Sequence, residues 1–177
     1  MTRALAFALL LVLAACANGP AFLPDGYRDQ NIAITSSTRF DAKRFAGDWH
    51  VIESFEQTPR EVAISRISFD PTSTGYRYAT LAPPSHFDAI SDLSPWPELE
   101  IGAFGRLTYM SRDAGADPIW VIWVDEDHRT AALGTPSGRF GMIINRTTKL
   151  RADRLKAARD ILAFNGYDLS NLRKVSR

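Results

Sequence analysis

One cysteine, three histidines and a run of three acids are the residues of this 177-residue chain whose chemistry stands out. His50, His86 and His128 are dispersed: no two stand at i and i+4, and none has a cysteine partner at zinc-site spacing, so no metal centre is expected. The chain has no Gly-x-Ser-x-Gly elbow and no phosphate-cradling glycine loop, and no cofactor is implied. Asp125, Glu126 and Asp127 resemble paired carboxylates, but they lie between two strand-like runs and read as a turn. Glu53, in an otherwise apolar stretch, is the best acid or base candidate the sequence offers. Cys16 is the only cysteine, so it forms no internal disulfide and nothing competes for its thiol.

The segment that leads to Cys16 explains it. Met1-Thr2-Arg3 supplies one positive charge, and Ala4 to Leu13 is an apolar run too short to span a bilayer as a helix, the pattern of an export signal. Its end, Leu13-Ala14-Ala15-Cys16, resembles a lipobox. That resemblance implies cleavage before Cys16 and acylation of the cysteine. Residues 1–15 are then a signal peptide, 16–38 the acylated cysteine and its tether, and 39–177 the folded body. Ala17 follows the cysteine where an aspartate would signal inner-membrane retention, so the expected site is the periplasmic face of a bacterial outer membrane. Loss of Arg3 with the signal takes one from the 21 basic residues and leaves them equal to the 20 acidic ones. A formally neutral body lacks the basic excess that nucleic-acid binding requires.

Those residues must be positioned by strands. From residue 49 onward, β-branched and aromatic runs alternate with turn signals at short, regular spacing, which predicts an all-β barrel or sandwich. The expected strands are Trp49–Phe55, Val62–Phe69, Gly75–Leu81, Phe87–Ser91, Ile101–Met110, Ile119–Val124, Thr130–Gly134 and Phe140–Arg146. Prolines 83, 84, 95 and 97 make the stretch from Ala82 to Pro97 the weakest. The period then changes: Leu155, Ala158, Ile161 and Leu162 share one face of a helix over Asp153–Phe164, and Asn165-Gly166 supplies its C-cap. Lys149, Arg151, Arg154, Lys156 and Arg159 would make the outer side of that helix basic, read as a solvated face.

Three motifs in order give these elements a family. Phe40 to Trp49 resembles the lipocalin opening, a short helical turn leading into Gly47-Asp48-Trp49. Trp123 to Arg129 resembles the family's second motif, an acidic turn in which Asp125, Asp127 and Arg129 are the matching residues and His128 stands in place of the usual aromatic. Arg146 matches the arginine that ends the eighth strand. The order most resembles the bacterial, apolipoprotein D-like group of lipocalins, over about residues 39 to 175. It implies an eight-stranded antiparallel up-and-down barrel with a C-terminal α-helix packed on its outside, Trp49 plugging one end and Arg146 laid across the indole.

A cup of that kind holds a small lipophilic ligand. Period-two alternation from Trp49 turns Val51, Glu53 and Phe55 inward, and the same parity from Arg146 turns in Ile144, Met142 and Phe140. By the same alternation, one of Trp120 and Trp123 faces the interior and the other faces out. Trp96 falls in a loop at the rim. An apolar lining with few polar groups suits a fatty acid or a lysophospholipid-like amphiphile. The expected function is binding or transport of such a ligand in membrane lipid storage or maintenance, without enzymatic activity. The rival readings are a lipocalin-fold isomerase or hydrolase using Glu53, and an envelope scaffold whose barrel is filled by its own side chains.

Overall fold

A computed structural model of the chain describes residues 26–55, 65–81, 97–110 and 117–175. Within them a four-residue helix α1 (Ala42–Phe45) leads into β1 (Gly47–Phe55). There follow β2 (Arg66–Pro71), β3 (Gly75–Leu81), β4 (Glu98–Ile101), β5 (Arg106–Tyr109), β6 (Ile119–Val124), β7 (Thr130–Gly134) and β8 (Gly141–Asn145). Helix α2 (Ala152–Phe164) and a short β9 (Leu172–Lys174) complete the body. Each strand pairs with the next, β8 pairs with β1, and β1 also pairs with β2, so β1 to β8 close into an antiparallel up-and-down barrel. The fold class expected from the sequence is the one found.

Two seams depart from expectation. The strand expected over Ile101–Met110 is two strands, because Ala103–Gly105 forms a tight turn with Phe104 at φ 58° and Gly105 at φ 74°. The fourth strand is Glu98–Ile101; the expected Phe87–Ser91 lies outside the described residues, as do Val62 to Ile64, His86 and Trp96. At the other seam, Gly47–His50 of β1 pairs with β2, while Glu53–Phe55 pairs with β9 along the same edge. The tail after α2 thus supplies a strand that continues the pairing of β1 beyond its last pair with β2, and Val175 beyond it joins the inner core.

The wall separates two apolar clusters. The inner one contains Phe45, Trp49, Val51, Ile67, Phe69, Tyr76, Leu107, Val121, Leu133, Met142 and Ile144. The outer one packs Ala158 and Leu162 of α2 on Ile52, Phe55, Ile122, Ala132 and Ile143. β7 and β8 are buried on both faces, being lined within and roofed by the helix without. This is why their sequences read as unbroken apolar runs rather than as alternation.

Two β-bulges set which side chains go where. The register slips between Val51 and Glu53 in β1 and between Val121 and Trp123 in β6. A bulge sends two successive side chains to one face. Ile52 with Glu53, and Ile122 with Trp123, all turn toward the helix side.

Candidate binding site and the two ends of the barrel

The closed end is built on Gly47, Trp49 and Arg146. Gly47 has φ 92°, a conformation other residues adopt only with strain, and this turn swings the chain from α1 into β1. Trp49 is fully buried and its Nε1 donates to Phe45 O at 2.9 Å. The Arg146 guanidinium stacks on the indole with Cζ 3.7 Å from the ring centroid, a cation–π contact. Its nitrogens donate to the carbonyls of Arg44 at 2.6 Å, Phe45 at 3.0 Å, Ala46 at 2.9 Å and Asp48 at 2.9 Å. One cation therefore closes the open C-terminal carbonyls of α1 and pins the helix across the barrel floor. Burial pulls the pKa of Arg146 below the usual guanidinium value.

Above this clamp lies an aromatic plug. Phe45 meets Trp49 at 4.9 Å and Phe69 at 5.0 Å between ring centroids, and Phe69 meets Tyr76 at 5.5 Å. Tyr76 Oη donates to Ala42 O at 2.5 Å, tying the plug to α1, and burial drives its phenol pKa well above the ordinary range. Tyr76 and Phe45 were not singled out by the sequence reading. Phe45, four residues before Trp49 at the end of a helical turn, was the available signal.

The acidic turn is structural. Asp125 Oδ1 accepts from the backbone N–H of Arg129 at 2.6 Å and of Thr130 at 3.0 Å. Its Oδ2 lies 2.9 Å from Arg154 Nη1, and Asp127 Oδ2 lies 2.7 Å from Arg154 Nη2. Arg129 serves through its carbonyl, which accepts from Arg146 N at 2.8 Å. His128 is buried at φ 56°, and neither ring nitrogen has a hydrogen-bond partner among the described residues. Among those residues no group of three His, Cys, Asp or Glu gathers as a metal site.

The lining expected from strand parity is split by the bulge. Val51, Met142 and Ile144 are in the inner cluster and Phe140 packs against it. Glu53 and Phe55 are not inside. Glu53 faces α2 and pairs with Arg159 there, Nε to Oε2 at 2.8 Å and Nη2 to Oε1 closer still. Its side chain is only 4% exposed, so the carboxylate is buried but paired, as a buried charge must be. Phe55 stacks outside on Tyr27 at 5.2 Å and meets Tyr167 at 5.1 Å. Neither tryptophan of β6 faces inward: Trp123 packs with the outer cluster, and Trp120 lies under Arg106 at 4.2 Å. The basic face expected on α2 is largely absorbed in the same way. Arg154 and Arg159 turn to the barrel, and Arg151 and Lys156 pair with Asp153 and Asp160.

The opposite end carries a polar collar that the sequence reading missed. It surrounds the β7–β8 connection, Thr135 to Phe140. Tyr167 Oη accepts from Thr135 N at 2.9 Å and donates to Phe140 O at 2.8 Å. Burial pushes its phenol pKa up to about 12. A Cβ on Gly134 would lie 2.2 Å from that hydroxyl, so only glycine admits the ring there. Arg28 is buried and donates to Pro136 O at 2.6 Å and Asn165 O at 3.1 Å, and also to Ile32 O.

Comparison with known proteins accords with this architecture. The family model of a lipocalin-like domain matches residues 105–177. Temperature-induced lipocalin-1 of Arabidopsis thaliana is 33% identical over 55 residues, which are 31% of this chain and 30% of that protein. The matched stretch therefore spans less than a third of that relative's length. Among solved structures, lipocalin 12 from rat epididymis aligns with 87% of this chain and 93% of its own, at 15% identity and a TM-score of 0.53. Lobster apocrustacyanin A1 aligns over 81% of this chain and 91% of its own, at 13% identity and a TM-score of 0.47. With the closed barrel and the helix on its outside, the family-model match supports the lipocalin family, and the fold of this chain is the lipocalin fold.

Proposed function

We propose that this chain is a lipid-anchored lipocalin that holds a fatty acid, lysophospholipid or similar amphiphile in its barrel and serves membrane lipid storage or maintenance. The observation that carries the reading is a closed barrel plugged at one end by Trp49, Phe45 and Arg146, with Val51, Leu133, Met142 and Ile144 as an apolar inner wall. Apolar transfer from water, at about 25 cal/mol per Å², is the driving force such a wall offers. We place the acyl anchor on Cys16 and the protein at the periplasmic face of a bacterial outer membrane, on the strength of the Leu13-Ala14-Ala15-Cys16 sequence and of Ala17. Binding is favoured over catalysis because Glu53, the candidate acid or base, is engaged by Arg159 on the helix side of the wall. Native mass spectrometry of the purified protein, with extraction of what co-purifies, tests the proposal. One bound amphiphile per chain is expected. A barrel recovered empty from lipid-rich membranes, and indifferent to added lipid, overturns it.

A further inference from the structure

Three tyrosines line one sector of the inner wall, and only one of them has its hydroxyl satisfied by the protein. Tyr76 and Tyr78 stand two apart on β3, so they share a face, and both join the inner cluster. Tyr109 of β5, two residues after Leu107, packs against the same cluster. Leu99 of β4 pairs with Tyr76 on one side and with Tyr109 on the other, which places the three rings around one strand. The Tyr76 hydroxyl donates to Ala42 O, and that of Tyr167, outside the barrel, donates to Phe140 O. The hydroxyls of Tyr78 and Tyr109 make no hydrogen bond among the described residues, although Tyr78 is only 7% exposed. A buried phenol usually finds a partner, because an unmade hydrogen bond forfeits the water it gave up.

The electrostatics of the pair select the partner. Burial raises both phenol pKa values, and each is raised further by a neighbour, Tyr78 by Tyr109 and Tyr109 by Asp117. Both groups therefore stay protonated at neutral pH and offer donors, and they are close enough to act on each other. A carboxylate is a poor acceptor for them. It would meet the field of Asp117, and in an apolar wall it needs a cation. The arginines of the wall and its ends are engaged elsewhere: Arg28 on the carbonyls of Pro136 and Asn165, Arg146 on those of α1, and Arg159 on Glu53. An uncharged carbonyl oxygen has two lone pairs and can accept from both phenols without bringing a charge inside.

We propose that Tyr78 and Tyr109 are the polar subsite of the barrel and hold the uncharged carbonyl oxygen of an acyl ester, so that the chain selects esterified acyl lipids over free fatty carboxylates. This rests on the reading above that the barrel holds an amphiphile. The test compares three probes with one chain length, methyl dodecanoate, dodecanoic acid and dodecane, on the delipidated chain at a pH where the acid is ionised. Affinity is read by displacement of a fluorescent apolar dye. The ester should bind about tenfold more tightly than the acid. Tyr78→Phe and Tyr109→Phe, which remove only the hydroxyls, should each weaken the ester about fivefold and leave dodecane unchanged. The infrared band of the ester carbonyl should fall in frequency on binding to the native chain and fall less in either variant. Should a variant not fold, the ester-over-acid preference and the carbonyl band of the native chain still decide. Acid bound as tightly as ester, a carbonyl band unmoved on binding, or equal losses for ester and dodecane overturns the subsite while the binding reading stands. A folded chain that binds none of the three overturns the binding reading, and the subsite with it.

Discussion

The two ends of this barrel are built from different physics. At the closed end a cation lies on an indole over a cluster of rings, and the Arg146 guanidinium is spent on closing α1. At the other end a buried arginine and a buried tyrosine stitch backbone carbonyls of three separate segments. The first arrangement excludes anything else from the barrel floor. The second holds a rim together from its outside and leaves the interior to apolar wall. Stability should therefore respond most to changes at the closed end, and ligand affinity to changes on the inner wall.

The largest effect should follow Trp49→Ala, which removes the plug and the face on which Arg146 lies. About 3–5 kcal/mol is the expected loss, read by denaturant unfolding. Arg146→Met keeps the stem but strands the carbonyls of α1, and about 2–4 kcal/mol should go. A double-mutant cycle between Trp49 and Arg146 should return a coupling of about 0.5–2 kcal/mol. At the rim, Tyr167→Phe leaves the Thr135 N–H buried without an acceptor and should cost about 1–3 kcal/mol, with affinity for lipid little changed.

Tyr167 also sharpens the contrast by pH. Its folded pKa is raised above the ordinary value to about 12, so its contribution is complete below about pH 10 and is lost as pH rises toward 12. Unfolding midpoints of the native chain should fall over that window, and those of Tyr167→Phe should fall less. Phe140→Ala, on the inner wall beside the rim, should weaken amphiphile binding about tenfold while stability moves by less than about 1 kcal/mol. The smallest effect belongs to Asp41, whose carboxylate accepts from Arg44 N at 3.0 Å and whose pKa is lowered by that bond. That contribution is present above about pH 4 and fades as pH falls through the lowered pKa, visible as a loss of acid stability that Asp41→Ala lacks.

How much of this could be read in the residues depends on whether a feature is local. Gly47, Trp49, Asp125 and Arg146 are fixed by motifs a few residues long, and the structure brings them to one end. The helix was legible from its period and its Asn165-Gly166 stop, with Gly166 at φ 87°. Strand parity failed for Glu53 and Phe55 because a one-residue bulge inverts every later side chain, and no residue near Ile52 announces it. The collar joins Arg28 to Pro136, 108 residues on, and Thr135 to Tyr167, 32 residues on, beyond any local pattern. Gly102 and Gly105, three apart, were the signal for the break between β4 and β5.

Calorimetric titration of the delipidated chain with a lysophospholipid or a long-chain fatty acid tests the central claim most directly. Saturable binding of one molecule per barrel, with a negative heat-capacity change and an affinity lowered by Phe140→Ala, is the predicted result. A folded, lipid-free barrel that takes up neither amphiphile, or whose binding is untouched at the inner wall, would contradict it.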